Sequence, residues 1–184
     1  MAFEKDQHDA AIAAFSKALA EDGTPLRAFQ MVQPRLGLQP QSLDEIRMAL
    51  VSTYLVKAYD SMMKLKPVPE ILGSAAIVLA PLTGTDSAEL KQTLATARDV
   101  SELCAQFQKK QYQQVMKTLL AVEKRALPSD QDFFIMEVRL LIACGKTLRE
   151  PIILEKAREL LFFLTYELRI KGPRTDLLWR LLHQ

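Results

Sequence analysis

The sequence predicts an all-α protein built from stacked antiparallel helical hairpins, with a compact helical bundle as the other arrangement. Three observations carry this. Apolar residues return at three- and four-residue intervals along nearly the whole chain. Only 6 Gly and 9 Pro punctuate 184 residues, whereas an all-β chain needs a turn every ten residues or so. The hydrophobic share of 49% and charged share of 25% are those of a chain that buries one sizeable core. The expected organisation is a single domain over 1–184, and the nearest thing to an internal break lies near 81–86.

Nine helices are expected in order. The first runs from about Lys5 to Glu21, with Ala11, Ile12, Phe15, Ala18 and Leu19 on one face. A short second helix is opened by Thr24 and Pro25 and stopped by Pro34 and Gly37. Ser42 and Glu45 form a capping box for a long third helix, Leu43 to about Lys66, broken by Pro67 and Pro69. Glu70 to Ala80 is short and almost uncharged. Asp86 is placed to cap the fifth helix, which carries Leu90, Leu94, Ala97, Val100, Leu103 and Phe107. A sixth follows from Tyr112, joined tightly at Lys109–Gln111; one uninterrupted helix over 86–126 is the alternative, long against a usual range of roughly 8–20 residues. Ser129 opens the seventh, from Asp130 to about Cys144, with Gly145 as its C-terminal glycine. The eighth spans Pro151 to Lys171 and ends at Gly172-Pro173. The last covers Thr175 to His183.

Bulk chemistry narrows the partners. The net charge of +2 is too small for a nucleic-acid footprint, so nucleic acid is an unlikely partner. The N-terminus lacks the basic-then-apolar order of a signal peptide. The longest uncharged run, Ile71 to Thr85, contains Pro81 and falls short of the roughly 20 apolar residues that span a bilayer, so no membrane insertion is expected. Cys104 and Cys144 each sit within apolar helical patterns and read as buried thiols of a cytoplasmic protein.

Two stretches carry a family resemblance. His8, Ala11, Phe15 and Ala18 fall at the spacing of the second helix of a tetratricopeptide repeat. Tyr112, Val115, Leu119 and Val122 repeat that spacing with bulkier residues, and Pro128 follows near the place where such repeats carry proline. Small residues at such positions let a paired helix approach, and the aromatic between them fills the groove. The chain thus resembles tetratricopeptide-repeat-like helical hairpin proteins over about thirty residues. Helix starts do not recur at 34 residues, so the solenoid it implies is an irregular one. The resemblance implies adaptor, chaperone or scaffold roles and no catalysis.

Candidate sites follow from the helix wheels. On the eighth helix, Ile153, Ala157, Leu160, Leu161, Leu164 and Leu168 form one apolar stripe, and Phe162, Phe163, Tyr166 and Ile170 lie outside it. A helix apolar on two sides is buried on both or holds a partner. Read functionally, these aromatics anchor a partner helix or peptide. Lys110, Lys117 and Lys124 recur every seven residues and, with Arg125, make a basic face; a solvated surface explains them, and an acidic partner is the functional reading. Arg169, Lys171 and Arg174 cluster at a helix end, where positive charge complements the dipole.

No chemistry-bearing motif accompanies these surfaces. His8 and His183 stand far apart in sequence without ligand spacing, so no metal is expected. Glu155 and Glu159, beside Lys156 and Arg158, read as surface charge. Gly145-Lys146-Thr147 echoes the end of a phosphate loop but lacks the upstream glycine. Trp179 is expected to seal the last helix onto the core. The expectation is therefore a non-enzymatic interaction module without cofactors: an adaptor, chaperone or complex subunit that takes another protein or a second copy of itself. The alternative is a regulatory protein that meets an acidic partner or nucleic acid through the basic helix face.

Overall fold

A computed structural model describes residues 2–20 and 43–184, and within them the protein is all-helical, with no strand. Among the described residues there are eight α-helices: α1 (Ala2–Ala20), α2 (Leu43–Met62), α3 (Pro69–Leu79), α4 (Thr85–Gln108), α5 (Tyr112–Glu123), α6 (Gln131–Leu148), α7 (Pro151–Phe162) and α8 (Pro173–His183). The helix expected after Thr24 and the Ser42 cap lie outside the described residues. No helix among the described residues is long and apolar enough to cross a membrane. The chain divides into two compact units, one of residues 1–58 and 69–94, the other of 59–68 and 95–184.

The first unit is organised by α1 and α2. Ala11 and Phe15 of α1 pack with Ile46 and Leu50 of α2, and Ile12, Leu19, Ala49, Tyr54 and Val78 close around them. Ala11 and Phe15 of the first repeat-like stretch are therefore core positions. Asp9 and Lys57 add an ion pair at the edge. In α3, Leu72, Ala75 and Leu79 are buried at helical spacing. Gly84, at φ 102°, turns the chain into α4, and its carbonyl accepts the Ala88 N–H at 3.3 Å. That corrects the expected cap: the helix begins at Thr85, so Asp86 lies inside its first turn and Gly84 occupies the cap position.

The second unit is built around α6. Eleven of its residues are buried, from Phe133 to Gly145, because other helices lie on several sides of it. It packs against α5, α7 and α8, and α8 also contacts α7. A two-residue link joins α6 to α7, which makes them an antiparallel hairpin. Val115, Leu119 and Val122 form the buried face of α5. The segment after α2 is tied down by side chains: Ser101 Oγ accepts the Val68 N–H at 2.8 Å, and Arg139 Nε donates to the Met63 carbonyl at 3.0 Å.

The α4–α5 junction lies where the broken periodicity placed it. Lys110 is left-handed at φ 62°, Gln111 N–H reaches the Gln106 carbonyl at 3.0 Å, and Lys110 N–H reaches Phe107 at 2.9 Å. This is a Schellman turn on a non-glycine residue. Arg149 repeats it after α6, with Glu150 N–H on the Gly145 carbonyl at 2.9 Å and Arg149 N–H on Lys146 at 3.3 Å.

Gly145 itself is a correction. It does not terminate the helix; α6 runs on to Leu148 and Gly145 is buried within it. The missing side chain serves packing, because a Cβ there would stand 2.9 Å from Leu154 Cγ and Cδ2 of α7.

Candidate interaction surface

The end of α7 departs from the expected single helix over Pro151–Lys171. The α-helix stops at Phe162, and Phe163–Glu167 form a π-helical turn in which the Leu168 N–H reaches back five residues to the Phe163 carbonyl at 3.1 Å. Ile170 N–H then reaches Leu164 at 2.9 Å, and left-handed Arg169 ends the turn. A π turn admits one extra residue, so every side chain after it is rotated from its α-helical position. Such turns frequently occur at functional sites.

Several large apolar side chains face solvent before, within and after the turn. Phe162, Phe163 and Tyr166 are 51%, 48% and 57% exposed. Leu168, expected on the buried stripe, is 48% exposed, while Ile170, expected outside it, is half-buried. Leu161 and Leu164 stay in the core. Full burial of one such aromatic contributes about 1.5–3 kcal/mol, so leaving three half-exposed forgoes stabilisation that another surface can recover.

Helix α8 extends the apolar face. Phe162 and Tyr166 rings lie with centroids 4.6 Å apart, Tyr166 meets Trp179 edge-on at 6.4 Å, and Trp179 stacks on His183 at 6.0 Å. Four rings thus form one row from α7 to the end of the chain. Trp179 Nε1 donates to Thr165 Oγ1 at 3.2 Å, which fixes the indole against the buried threonine of the π turn. Trp179 is half-buried, and its ring also joins the row.

The basic face is less coherent than the seven-residue spacing suggested. Lys110, Lys117 and Lys124 are all exposed. Lys110, however, lies in the left-handed link ahead of α5, and Lys124 is the cap residue after it, so only Lys117 stands on the helix. Arg125 is held at 3.0 Å by Asp99.

Arg174 corrects another expectation. It lies in the first turn of α8, the positive end of the helix dipole, and cannot act there as a C-terminal complement. Instead its guanidinium bridges Asp60, at 2.5 Å, and Asp132. Behind it lie buried Tyr59 and Asp130, the N-cap of α6, whose Oδ1 accepts the Phe133 N–H at 3.0 Å. Burial pushes the Asp130 carboxyl up to about 6, helped by the Asp132 charge and opposed by the Phe133 N–H. Burial, together with these two acids, raises the Tyr59 phenol far above its ordinary range.

Glu137 is a site residue that no sequence motif marks. It is 1% exposed in the middle of α6, and neither carboxylate oxygen accepts a hydrogen bond. Lys156 Nζ of α7 stands 3.7 Å from Oε1 and 3.5 Å from Glu123 Oε2 of α5. Burial, then repulsion from Glu123, pushes the Glu137 carboxyl up to about 7. The sequence held one signal: Glu137 lies one turn from Phe133 and Leu141 on the apolar stripe of α6.

The remaining reactive residues are quiet. Burial pushes the Cys104 thiol up to about 12 and Cys144 up to about 11, so neither is a thiolate at neutral pH. Among the described residues no three acidic, histidine or cysteine side chains are grouped to hold a metal. No protein-family model, no curated protein and no solved structure matches the chain.

Proposed function

We propose that this protein is a non-enzymatic interaction module, an adaptor, chaperone or complex subunit of the cytoplasm, that receives a helix or extended peptide of another protein on the aromatic row of α7 and α8. One observation carries the reading: four rings form a row in ring-to-ring contact, and Phe162, Phe163, Tyr166 and Leu168 at and around the π turn are about half exposed. Large rigid rings are the side chains that dominate binding when a partner desolvates them. The resemblance of its first and fifth helices to the second helix of a tetratricopeptide repeat agrees with such a role, and Ala11, Phe15, Val115, Leu119 and Val122 of those stretches are buried.

Affinity capture from a cell extract, read by quantitative mass spectrometry, tests this. The wild-type chain is compared with Phe162→Ala, Tyr166→Ala and Lys117→Ala. The expected outcome is a partner set lost in both aromatic variants and kept in the lysine variant. Identical partners in all four chains would remove the aromatic row, and loss confined to Lys117→Ala would favour the basic face.

A further inference from the structure

The group of Glu137, Lys156 and Glu123 has a property of its own, separate from the aromatic row. Three helices contribute one charged residue each: Glu123 from α5, Glu137 from α6 and Lys156 from α7. The two carboxylates differ in environment. Glu123 is partly solvated, at 37% exposure. Glu137 is sealed, and neither oxygen has a hydrogen-bond donor. An ionised carboxylate without donors is costly in an interior, so only the nearby ammonium favours its charged form. One lysine therefore serves two acids, and their claims on it depend on whether Glu137 carries a proton.

We infer that Glu137, Lys156 and Glu123 form a proton-operated latch across the α5–α6–α7 packing. When a proton from bulk water forms an O–H bond on Glu137, the buried group is neutral and the ammonium of Lys156 pairs with Glu123. When that proton leaves for solvent, the carboxylate draws Lys156 inward and the pairing with Glu123 weakens.

Other charged groups around α6 are engaged elsewhere. Arg174 of α8 holds Asp60 and Asp132, and Arg139 of α6 donates to Met63. The raised proton affinity of Glu137 places the transition near neutral pH, within cellular reach.

The test is a side-chain NMR titration of the full chain from pH 5 to 9, following the carboxyl carbon of Glu137 and the ammonium of Lys156. Both resonances are expected to move with one shared midpoint near neutrality. The Lys156 movement should vanish in Glu137→Gln. Glu123→Gln keeps the buried acid and removes its repulsion, so it should lower the proton affinity of Glu137 several-fold; this variant serves if Glu137→Gln does not fold. A Glu137 midpoint in the ordinary carboxylate range would overturn the latch. So would a Lys156 resonance that stays still while Glu137 titrates, or an unchanged midpoint in Glu123→Gln.

Discussion

Leu154 of α7 lies where the side chain of Gly145 on α6 would have to be: a Cβ at 145 would approach Leu154 Cδ2 to 2.9 Å and Ile153 Cγ2 to 3.2 Å. The hairpin that carries the aromatic surface is therefore closed on a glycine. Gly145→Ala gains about 1 kcal/mol of helix propensity. It also overpacks the hairpin, at a cost of about 1–3 kcal/mol. The cost is expected to win by about 1 kcal/mol, read as a lower midpoint in urea. Gly73→Ala on α3 is the control, since nothing lies within 4 Å of a Cβ there. The same substitution at that position should stabilise, by up to about 1 kcal/mol.

Lys110 offers the opposite case. Its left-handed backbone costs a side-chain-bearing residue about 1–2 kcal/mol that glycine avoids. Lys110→Gly should therefore stabilise the chain by about 1 kcal/mol, whereas Lys110→Ala should not. Thermal unfolding of the two variants side by side checks it. Equal midpoints would mean that the turn is not strained.

Arg174 holds two carboxylates together at the meeting of α2, α6 and α8. Arg174→Met leaves Asp60 and Asp132 facing one another, with buried Asp130 nearby. The groups are partly solvated, so the loss is expected at about 1–2 kcal/mol, less than for a sealed pair. Arg174→Lys should recover only part of it, because an ammonium lacks the guanidinium's rigid planar array of donors. Chemical denaturation distinguishes the three chains.

Acidity should stabilise the fold through two groups. Glu137 is raised from 4.5 to about 7 and Asp130 from 3.8 to about 6. Between the unfolded and folded values the native state binds more protons than the unfolded chain, so unfolding free energy falls as pH rises. For Glu137 the full decline is on the order of 3 kcal/mol, complete above its folded value. Melting temperatures measured from pH 5 to 8 should therefore fall with rising pH. A flat or rising profile would show that these carboxyls are not held protonated by the fold.

Much of this architecture was legible because helix periodicity survives in every described element. The Lys109–Gln111 junction could be read without any Gly or Pro, since the apolar rhythm breaks between Phe107 and Tyr112. Other features were not legible for physical reasons. A glycine needed for close packing looks, in sequence, like one that ends a helix, so Gly145 was misplaced. The π turn leaves no composition signature, and the chain leaves the helix at Arg169, so Leu168 is exposed and Ile170 half-buried, the reverse of a continued α-helix. Arg174 was assigned to the wrong helix end because Lys171 and Arg169 stand beside it in sequence. Phe162, Phe163 and Tyr166 were legible as aromatics outside the stripe, but their join with Trp179 and His183 depends on how α8 folds back.

A photo-crosslinking group placed at position 163 of the full chain tests the central claim most directly, with a matched label at position 117 as control. An adduct with another polypeptide is expected at position 163, and it should disappear when Phe162 and Tyr166 are both alanine. Labels that capture partners equally at 163 and 117, or capture none at 163, would contradict an aromatic docking surface.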